Sequence, residues 1–392
     1  PPDPHPPPPA PPDPPTPPKT ARPATPRPQP PNPQRRLPAF SYCGDDPDGC
    51  MSMPDVVEFI EHYAEFANAP VTTNTRVTAG RPHRGAYRVV TSRGQWQTRA
   101  VIIASGACNT SSVPQVAANL PARVRQLTPH QYRGPRDVQP GGVLVVGASA
   151  TGLQLADELQ RAGHDVTIAV GEHVRMPRVY RGRDIQFWMD RTQIMNERYD
   201  EVDDLARARG LPSPQLVGAH SPGMLDLNHL QEGGARIVGR LMGVNGGMAQ
   251  FSGSLRNVCA LADLKMNRLL DAIDSWVLGN SVLCDAPERY DATRVDASPS
   301  LMLRLDDGSI RTVIWATGFR PDYSWLDVPV LDRKGRLRHD GGIVDAPGLY
   351  ALGLPMMRRR KSSFMHGIED DARDITAHIA QYLGKAEVRP AA

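Results

Sequence analysis

Residues 142–157 read GVLVVGASATGLQLAD, and this stretch decides the fold that we predict for the chain. The apolar run Gly142–Val146 has the composition of a strand that is buried on both faces. A helical pattern follows over residues 150–162, and residues 165–170 form a second apolar run after it. Strand, turn, helix and strand in this order predict a βαβ unit, and therefore an α/β fold with a parallel sheet.

The turn between the first strand and the helix, GASATG, is a variant of the G-x-G-x-x-G pattern. Gly147 permits a tight turn, the small Ser149 lets the backbone approach a diphosphate, and Gly152 lets the helix pack closely on the strand. The helix N-terminus adds free N–H groups and partial positive charge. We therefore predict a site for the diphosphate of a nicotinamide dinucleotide. The alternative is an ordinary strand-turn-helix whose glycines serve packing only. The predicted binding residues of this turn are Gly147, Ala148, Ser149, Ala150, Thr151 and Gly152.

The segment after the second strand is where the choice between the two nicotinamide cofactors is usually made. An acidic side chain such as Glu172 suits a ribose hydroxyl, whereas a guanidinium suits a 2′-phosphate. Arg175, Arg178 and His173 cluster here and favour NADP(H). Solvated surface arginines are the alternative interpretation.

Composition sets the class of protein. The chain has 392 residues, enough for two domains, and a formal net charge of +3, which requires no nucleic-acid partner. No apolar run reaches the roughly 20 residues of a membrane-spanning helix, and the start of the chain lacks the apolar stretch of a secretory signal. We therefore expect a cytoplasmic protein without a membrane partner. Residues 1–40 are half proline and predict a disordered tail.

The five cysteines are scattered, with no CxxC pair and no zinc-type spacing. This pattern argues against a disulfide framework and against a dithiol redox centre. We expect free thiols and no metal site.

Elsewhere the sequence predicts further elements. A capping pattern at Ser52 and Asp55 begins an amphipathic helix, and residues 255–276 show a long helical pattern. Residues 301–305 and 310–316 predict a hairpin around Asp306-Asp307-Gly308. Extended runs are predicted over residues 71–79, 87–92 and 96–105. The last run ends in the apolar residues 100–104, which predict a strand buried on both faces.

Two apolar strands end in the same way. One reads VIIASG and ends in Ala104, Ser105 and Gly106; the other reads VIWATGFRPD and contains Ala316, Thr317 and Gly318. Small residues at these positions let a chain cross from one domain to another without side-chain obstruction. Either segment alone is a weak signal.

In chain order, these two segments, the GASATG turn between them and GLYALG at 348–353 resemble the flavin-containing monooxygenases and related flavoproteins with two dinucleotide-binding domains. The resemblance covers most of residues 41–385. It implies a Rossmann-type NAD(P)-binding domain at 136–298, inserted into an FAD-binding α/β domain at 41–135 and 299–387. It also implies that the two Ala-Ser/Thr-Gly ends lie at the cofactors.

The resemblance implies a chemistry as well. NADPH would reduce FAD, and the reduced flavin would use O₂ to oxygenate a small organic substrate, with the cofactor carrying the reaction. A homodimer is compatible with this resemblance.

The sequence departs from the family in two places. The family begins with its own glycine fingerprint for FAD, whereas this chain has no glycine before Gly44, so the FAD domain is predicted to be incomplete. The family's F-x-G-x-x-x-H-x-x-x-Y motif is matched only by Tyr132, with Thr128 at the histidine position.

These departures leave two functions open. One is an NADPH- and FAD-dependent monooxygenase whose N-terminal part is incomplete or mistranslated here. The other is a degenerate, non-catalytic NAD(P)-binding protein that has lost FAD. A pyridine-nucleotide disulfide reductase is disfavoured by the lack of a redox cysteine pair.

Overall fold

The structure is a computed structural model that describes residues 36–45, 51–216 and 224–387. Residues 1–35 of the predicted disordered tail lie outside these ranges. Its last residues, from Arg36 onward, belong to a short antiparallel hairpin.

Seven α-helices occur in the described residues. They are α1 Met53–Phe66, α2 Ala150–Arg161, α3 Ile185–Arg191, α4 Leu205–Arg209, α5 Leu227–Glu232, α6 Leu255–Gly279 and α7 Ile368–Glu387. Helix α1 begins with the predicted capping box, in which the Ser52 side chain accepts from the Asp55 N–H and the Asp55 carboxylate accepts from the Ser52 N–H. The predicted helices at 150–162 and 255–276 are confirmed within a few residues.

Strands in the described residues are mostly short. They are β1 Arg36–Leu37, β2 Phe40–Ser41, β3 Val77–His83, β4 Ala86–Thr91, β5 Gly94–Thr98, β6 Val101–Ile103, β7 Thr110–Ser111, β8 Arg125–Leu127, β9 Gly142–Val146, β10 Val166–Ala169, β11 Val179–Tyr180, β12 Arg183–Asp184, β13 Arg236–Val238, β14 Leu241–Asn245, β15 Met248–Phe251, β16 Met302–Arg304, β17 Ile310–Trp315, β18 Phe319–Arg320, β19 His339–Asp340, β20 Ile343–Val344 and β21 Leu349–Ala351.

The central sheet has five parallel strands in the order β13-β10-β9-β17-β8. Strand β9 lies in the middle and is buried on both faces, as its apolar sequence predicts. On one side of β9 lie β10 and then β13, which follow it in the chain, and β17 lies on its other side. The strand order therefore reverses between β9 and β17, and ligands of open parallel sheets bind at the carboxyl ends of strands beside such a reversal.

Alternate residues of β9 enter two separate cores. Val143 and Val145 pack with α2, α5 and the start of α6, whereas Leu144 and Val146 pack toward the antiparallel sheet β14-β15-β16. The parallel sheet is thus covered on both faces, by helices on one and by a small sheet on the other. This is the α/β, Rossmann-type architecture that the βαβ pattern predicts.

A second lobe contains the sheet β19-β20-β21-β6 and the antiparallel meander β3-β4-β5. Strand β6 pairs with β21 in parallel, and the two lobes are joined by an antiparallel pair of β7 and β18. These two short strands lie directly after the two Ala-Ser/Thr-Gly ends of the chain, which therefore cross between the lobes side by side.

Two local predictions are wrong. Strands β16 and β17 do not form a hairpin, because β16 pairs with β15 and β17 lies between β9 and β8 in the parallel sheet. The predicted strand over 100–104 is not buried on both faces, since Ile102 is 42% exposed. Strand β6 is an edge strand among the described residues, so its apolar composition does not report burial.

The domain boundaries remain a prediction, but the sheet extends past them. Strands β8 and β17 both lie outside residues 136–298 and both pair within the central sheet. Strand β8 has only three residues among prolines, which is why the sequence did not indicate it.

Candidate dinucleotide-binding site

The turn from β9 into α2 is shaped by two glycines and a neighbouring strand. Gly147 has φ = +115°, and a Cβ built on it would collide with the carbonyl oxygen of Ala316, at the end of β17. A Cβ on Gly152 would collide with the carbonyl oxygen of Gly147. Any side chain at these two positions would push the turn away from β17 or the helix away from the turn. The predicted roles of both glycines therefore have a geometric basis.

The N-terminus of α2 keeps its backbone donors available. Ser149 is the N-cap with an extended backbone, and its side chain makes no capping hydrogen bond. The first backbone bond of the helix runs from the Leu153 N–H to the Ser149 carbonyl at 3.1 Å, and no acidic residue occurs in the first turn. Free N–H groups, the positive end of the helix dipole and the absence of a competing carboxylate together suit a diphosphate. The residues present therefore fit a nicotinamide dinucleotide.

The second crossing brings Ala316, Thr317 and Gly318 beside this turn. The Thr317 hydroxyl donates to the carbonyl oxygen of Ser112, and the Gly318 carbonyl accepts from the Ser112 N–H at 2.9 Å. Gly318 has φ = +91°, a conformation that favours glycine. These contacts fix the crossing against the β7 segment at the carboxyl end of the parallel sheet.

The first crossing lies in the other lobe. Ala104 and Ser105 are exposed, and Gly106 has φ = +72°. The predicted contacts of these residues with a cofactor stay a prediction.

Arg175 is not placed to receive a 2′-phosphate. Its side chain is 3% exposed and its guanidinium donates to Asp226 at 2.5 and 3.1 Å and to Asp263 at 2.7 Å. It also donates to the carbonyl of Asp291 at 2.8 Å. The geometry contradicts the prediction because these acceptors already engage all three guanidinium nitrogens, tying together α5, α6 and the segment after α6.

The other two residues of the predicted phosphate cluster differ from each other. The Arg178 guanidinium pairs with Asp184 at 2.6 Å and is mostly buried. His173 is buried and its Nδ1–H donates to the Gly171 carbonyl at 2.9 Å. Burial lowers the pKa of His173, which favours the neutral ring and removes it as a cation for phosphate. The NADP(H) preference therefore stays a prediction, in which Arg178, already paired with Asp184, is the remaining candidate of the cluster.

Gln215 was missed by the sequence interpretation. It lies 68 residues after Gly147 in the chain, yet its side-chain amide donates to the carbonyl of Ala148, inside the turn, at 2.7 Å. No local pattern indicates that a glutamine directly after two closely spaced prolines contacts a turn so much earlier in the chain. The signal lies only in the tertiary contact.

The described residues of the lobe that contains β6 do not fit an FAD diphosphate. The elements that precede β6 in the described residues are the β1–β2 hairpin, α1 and the β3-β4-β5 meander, and none is a strand parallel to β6 that leads through a glycine turn into a helix. The helix that follows β21, α7, begins with Glu369, Asp370 and Asp371, which repel an anion at its N-terminus. The described residues of this lobe therefore build no cradle for a second diphosphate.

No activated thiol pair accompanies the turn. The cysteines in the described residues are free, and burial raises the pKa of Cys259 to about 12 and raises that of Cys108. Neither is a reactive thiolate at neutral pH. Within the same residues no group of three or more His, Cys, Asp or Glu side chains could hold a metal ion, and no helix is long and apolar enough to cross a membrane.

Comparison with known proteins finds relatives that are named as oxidoreductases. Residues 36–192 match the pyridine nucleotide-disulphide oxidoreductase family model. The chain is 27% identical to an uncharacterized CzcO-like oxidoreductase of Geobacillus kaustophilus, over 88% of this chain and 83% of that protein. It is 24% identical to an uncharacterized CzcO oxidoreductase of Bacillus subtilis, over 84% and 79% of the two chains.

Solved structures show the same fold. A flavin-containing monooxygenase from Stenotrophomonas maltophilia is 18% identical, with a TM-score of 0.55, over 90% of this chain and 84% of that chain. An ornithine N-hydroxylase from Kutzneria sp. 744 is 15% identical, with a TM-score of 0.50, over 85% and 78%. At these identities the likeness shows a shared fold.

Proposed function

We propose that this chain, a relative of the flavin-containing monooxygenases in motif order and fold, is an NADPH-dependent oxidoreductase that acts with O₂ on a small organic substrate. The observation that carries the proposal is the β9–α2 turn, where two glycines without room for a side chain meet an uncapped helix N-terminus. Its likeness to oxidoreductases in sequence supports the reaction class.

The residues of this chain would divide the work of binding. The N–H groups at the start of α2 would hold the diphosphate, and Gly147, which has no side chain, would let the diphosphate approach the backbone. The crossing at Ala316, Thr317 and Gly318 closes the same edge of the sheet from the β17 side. When bound there, NADPH supplies a hydride.

Oxygenation by this route needs a flavin, and the described residues do not build its diphosphate cradle. We therefore assign no residue to flavin chemistry. The same observation favours a second candidate function, an NAD(P)-binding protein that has lost FAD and does no redox chemistry.

One experiment separates the two functions. The purified chain is mixed with FAD, passed through a desalting column, and its visible spectrum, NADPH oxidation and O₂ uptake are recorded. Retained flavin absorbance with NADPH-dependent O₂ uptake is expected for the oxidoreductase. NADPH binding without retained flavin or O₂ uptake would instead establish the binding protein.

A matched comparison tests the cofactor preference. Arg175 is engaged by two carboxylates and Arg178 by Asp184, so a 2′-phosphate would have to compete with Asp184 for Arg178. Arg178→Met should lower the affinity for NADPH more than that for NADH. Equal losses for both nucleotides would contradict a role in recognising the 2′-phosphate.

A further inference from the structure

Gln215 lies on a segment that returns to the edge of the parallel sheet. Its backbone N–H donates to the Val174 carbonyl at 2.9 Å, and Pro214 forms a parallel bridge with Val174. Val174 belongs to the connection that leaves β10. Residues 214–215 are therefore fixed to the backbone beside the strand that neighbours β9.

The Gln215 side chain reaches from there into the β9–α2 turn. It is 2% exposed, and its Nε2 donates to the Ala148 carbonyl at 2.7 Å. Ala148 is also buried, so its carbonyl cannot turn to water if this donor is lost. A buried carbonyl left without a donor carries a free-energy cost, and the turn can avoid that cost only by moving.

The other end of the Gln215 amide has no protein partner among the described residues. Its Oε1 is buried and accepts no hydrogen bond there. Buried amide oxygens in proteins almost always accept a hydrogen bond, so this oxygen is available to a donor group of a bound dinucleotide, such as a ribose hydroxyl.

We propose that Gln215 is a positioning residue for the nicotinamide dinucleotide, holding the GASATG turn through the Ala148 carbonyl in the conformation that accepts the diphosphate. The inference rests on the proposed function, since it concerns the same site. A glutamine suits this place because it donates to the carbonyl and brings no negative charge beside the phosphates.

The test compares NADPH affinity, measured by fluorescence titration, in wild type, Gln215→Met and Gln215→Glu. Methionine keeps the length but removes the donor, so the dissociation constant should rise about tenfold, the size expected for one buried hydrogen bond. The Gln215→Glu variant should bind NADPH more weakly still, because its carboxylate would lie against the Ala148 carbonyl and would add a negative charge beside the proposed diphosphate site.

Gln160 provides a matched control. It is partly buried near the C-terminal end of the same helix, and its Nε2 donates to the Leu230 carbonyl at 3.0 Å. Gln160→Met removes a similar bond far from the turn and should leave NADPH affinity unchanged. Thermal unfolding of both methionine variants shows how far each has lost stability.

The outcomes distinguish the two proposals. If the wild type binds NADPH and Gln215→Met binds it equally well, the role of Gln215 is overturned and the proposed function stands. Equal weakening in Gln215→Met and Gln160→Met also overturns it, because general destabilisation would then explain the loss. Absence of NADPH binding by the wild type overturns both.

Discussion

Arg175 is held by two carboxylates that are themselves well buried, Asp226 and Asp263. Asp226 also caps α5 through the His229 N–H, and Asp263 accepts from the backbone of Thr293. The guanidinium therefore pairs with two buried carboxylates and joins three segments. Arg175 therefore stabilises the fold, although its position after β10 in the sequence suggests a contact with a cofactor.

Arg175→Met should lower the free energy of unfolding by about 3–5 kcal/mol, because it leaves buried carboxylates unpaired. Arg236→Met is the control, since Arg236 pairs with Asp165 in an exposed bridge and should cost less than about 1 kcal/mol. Urea denaturation measures both. A stable Arg175→Met with much weaker NADPH binding would show that Arg175 contacts the cofactor after all.

The element that carries the site is α2, and its place depends on how closely it packs on the turn. Residues Gly147–Gly152 and the βαβ unit could be predicted from the sequence because their reasons are local: strand, turn and helix are contiguous. The roles of Arg175 and Gln215 could not, because the partners of Arg175 lie 51 to 116 residues away and that of Gln215 lies 67 residues away. The false hairpin at β16 and β17 has the same cause, since a turn pattern does not tell which sheet each strand joins.

Gly152→Ala should destabilise the protein by about 1–3 kcal/mol, as expected for a methyl group forced into a filled space. Gly279→Ala is the control, because nothing lies near its Cβ position at the end of α6, and alanine there should be neutral or stabilising by up to about 1 kcal/mol. Thermal unfolding compares the two. Equal stability of both variants would mean that α2 does not depend on close contact with the Gly147 carbonyl.

The whole molecule joins two lobes through the β7–β18 pair, and two of its histidines, the buried His366 and the half-buried His339, have lowered pKa values. Burial lowers the pKa of His366 to about 4, and burial together with Arg209 lowers that of His339 to about 4. His366 is 6% exposed and its Nε2 has no hydrogen-bond partner among the described residues. Both rings are therefore neutral in the folded protein at neutral pH.

Stability should fall as the pH drops from about 6.5 to about 4. In this window the unfolded chain takes up protons on these histidines and the folded protein does not. The free energy of unfolding therefore falls by up to about 1.4 kcal/mol for each group and each pH unit. Denaturation at several pH values measures the slope. His366→Gln should flatten it, and an unchanged slope in this variant would contradict the burial of a neutral His366.

The most direct test of the central claim is an NADPH titration of Ser149→Asp against wild type and Ser149→Ala. An aspartate at this uncapped position accepts hydrogen bonds from the N–H groups at the start of α2 and stabilises the helix by up to about 1 kcal/mol. Its carboxylate also occupies the diphosphate site and repels the diphosphate. We predict that the wild type and the alanine variant bind NADPH, and that the aspartate variant is at least as stable but binds at least about tenfold more weakly. Equal NADPH binding by all three proteins would contradict the assignment of this turn as the dinucleotide site.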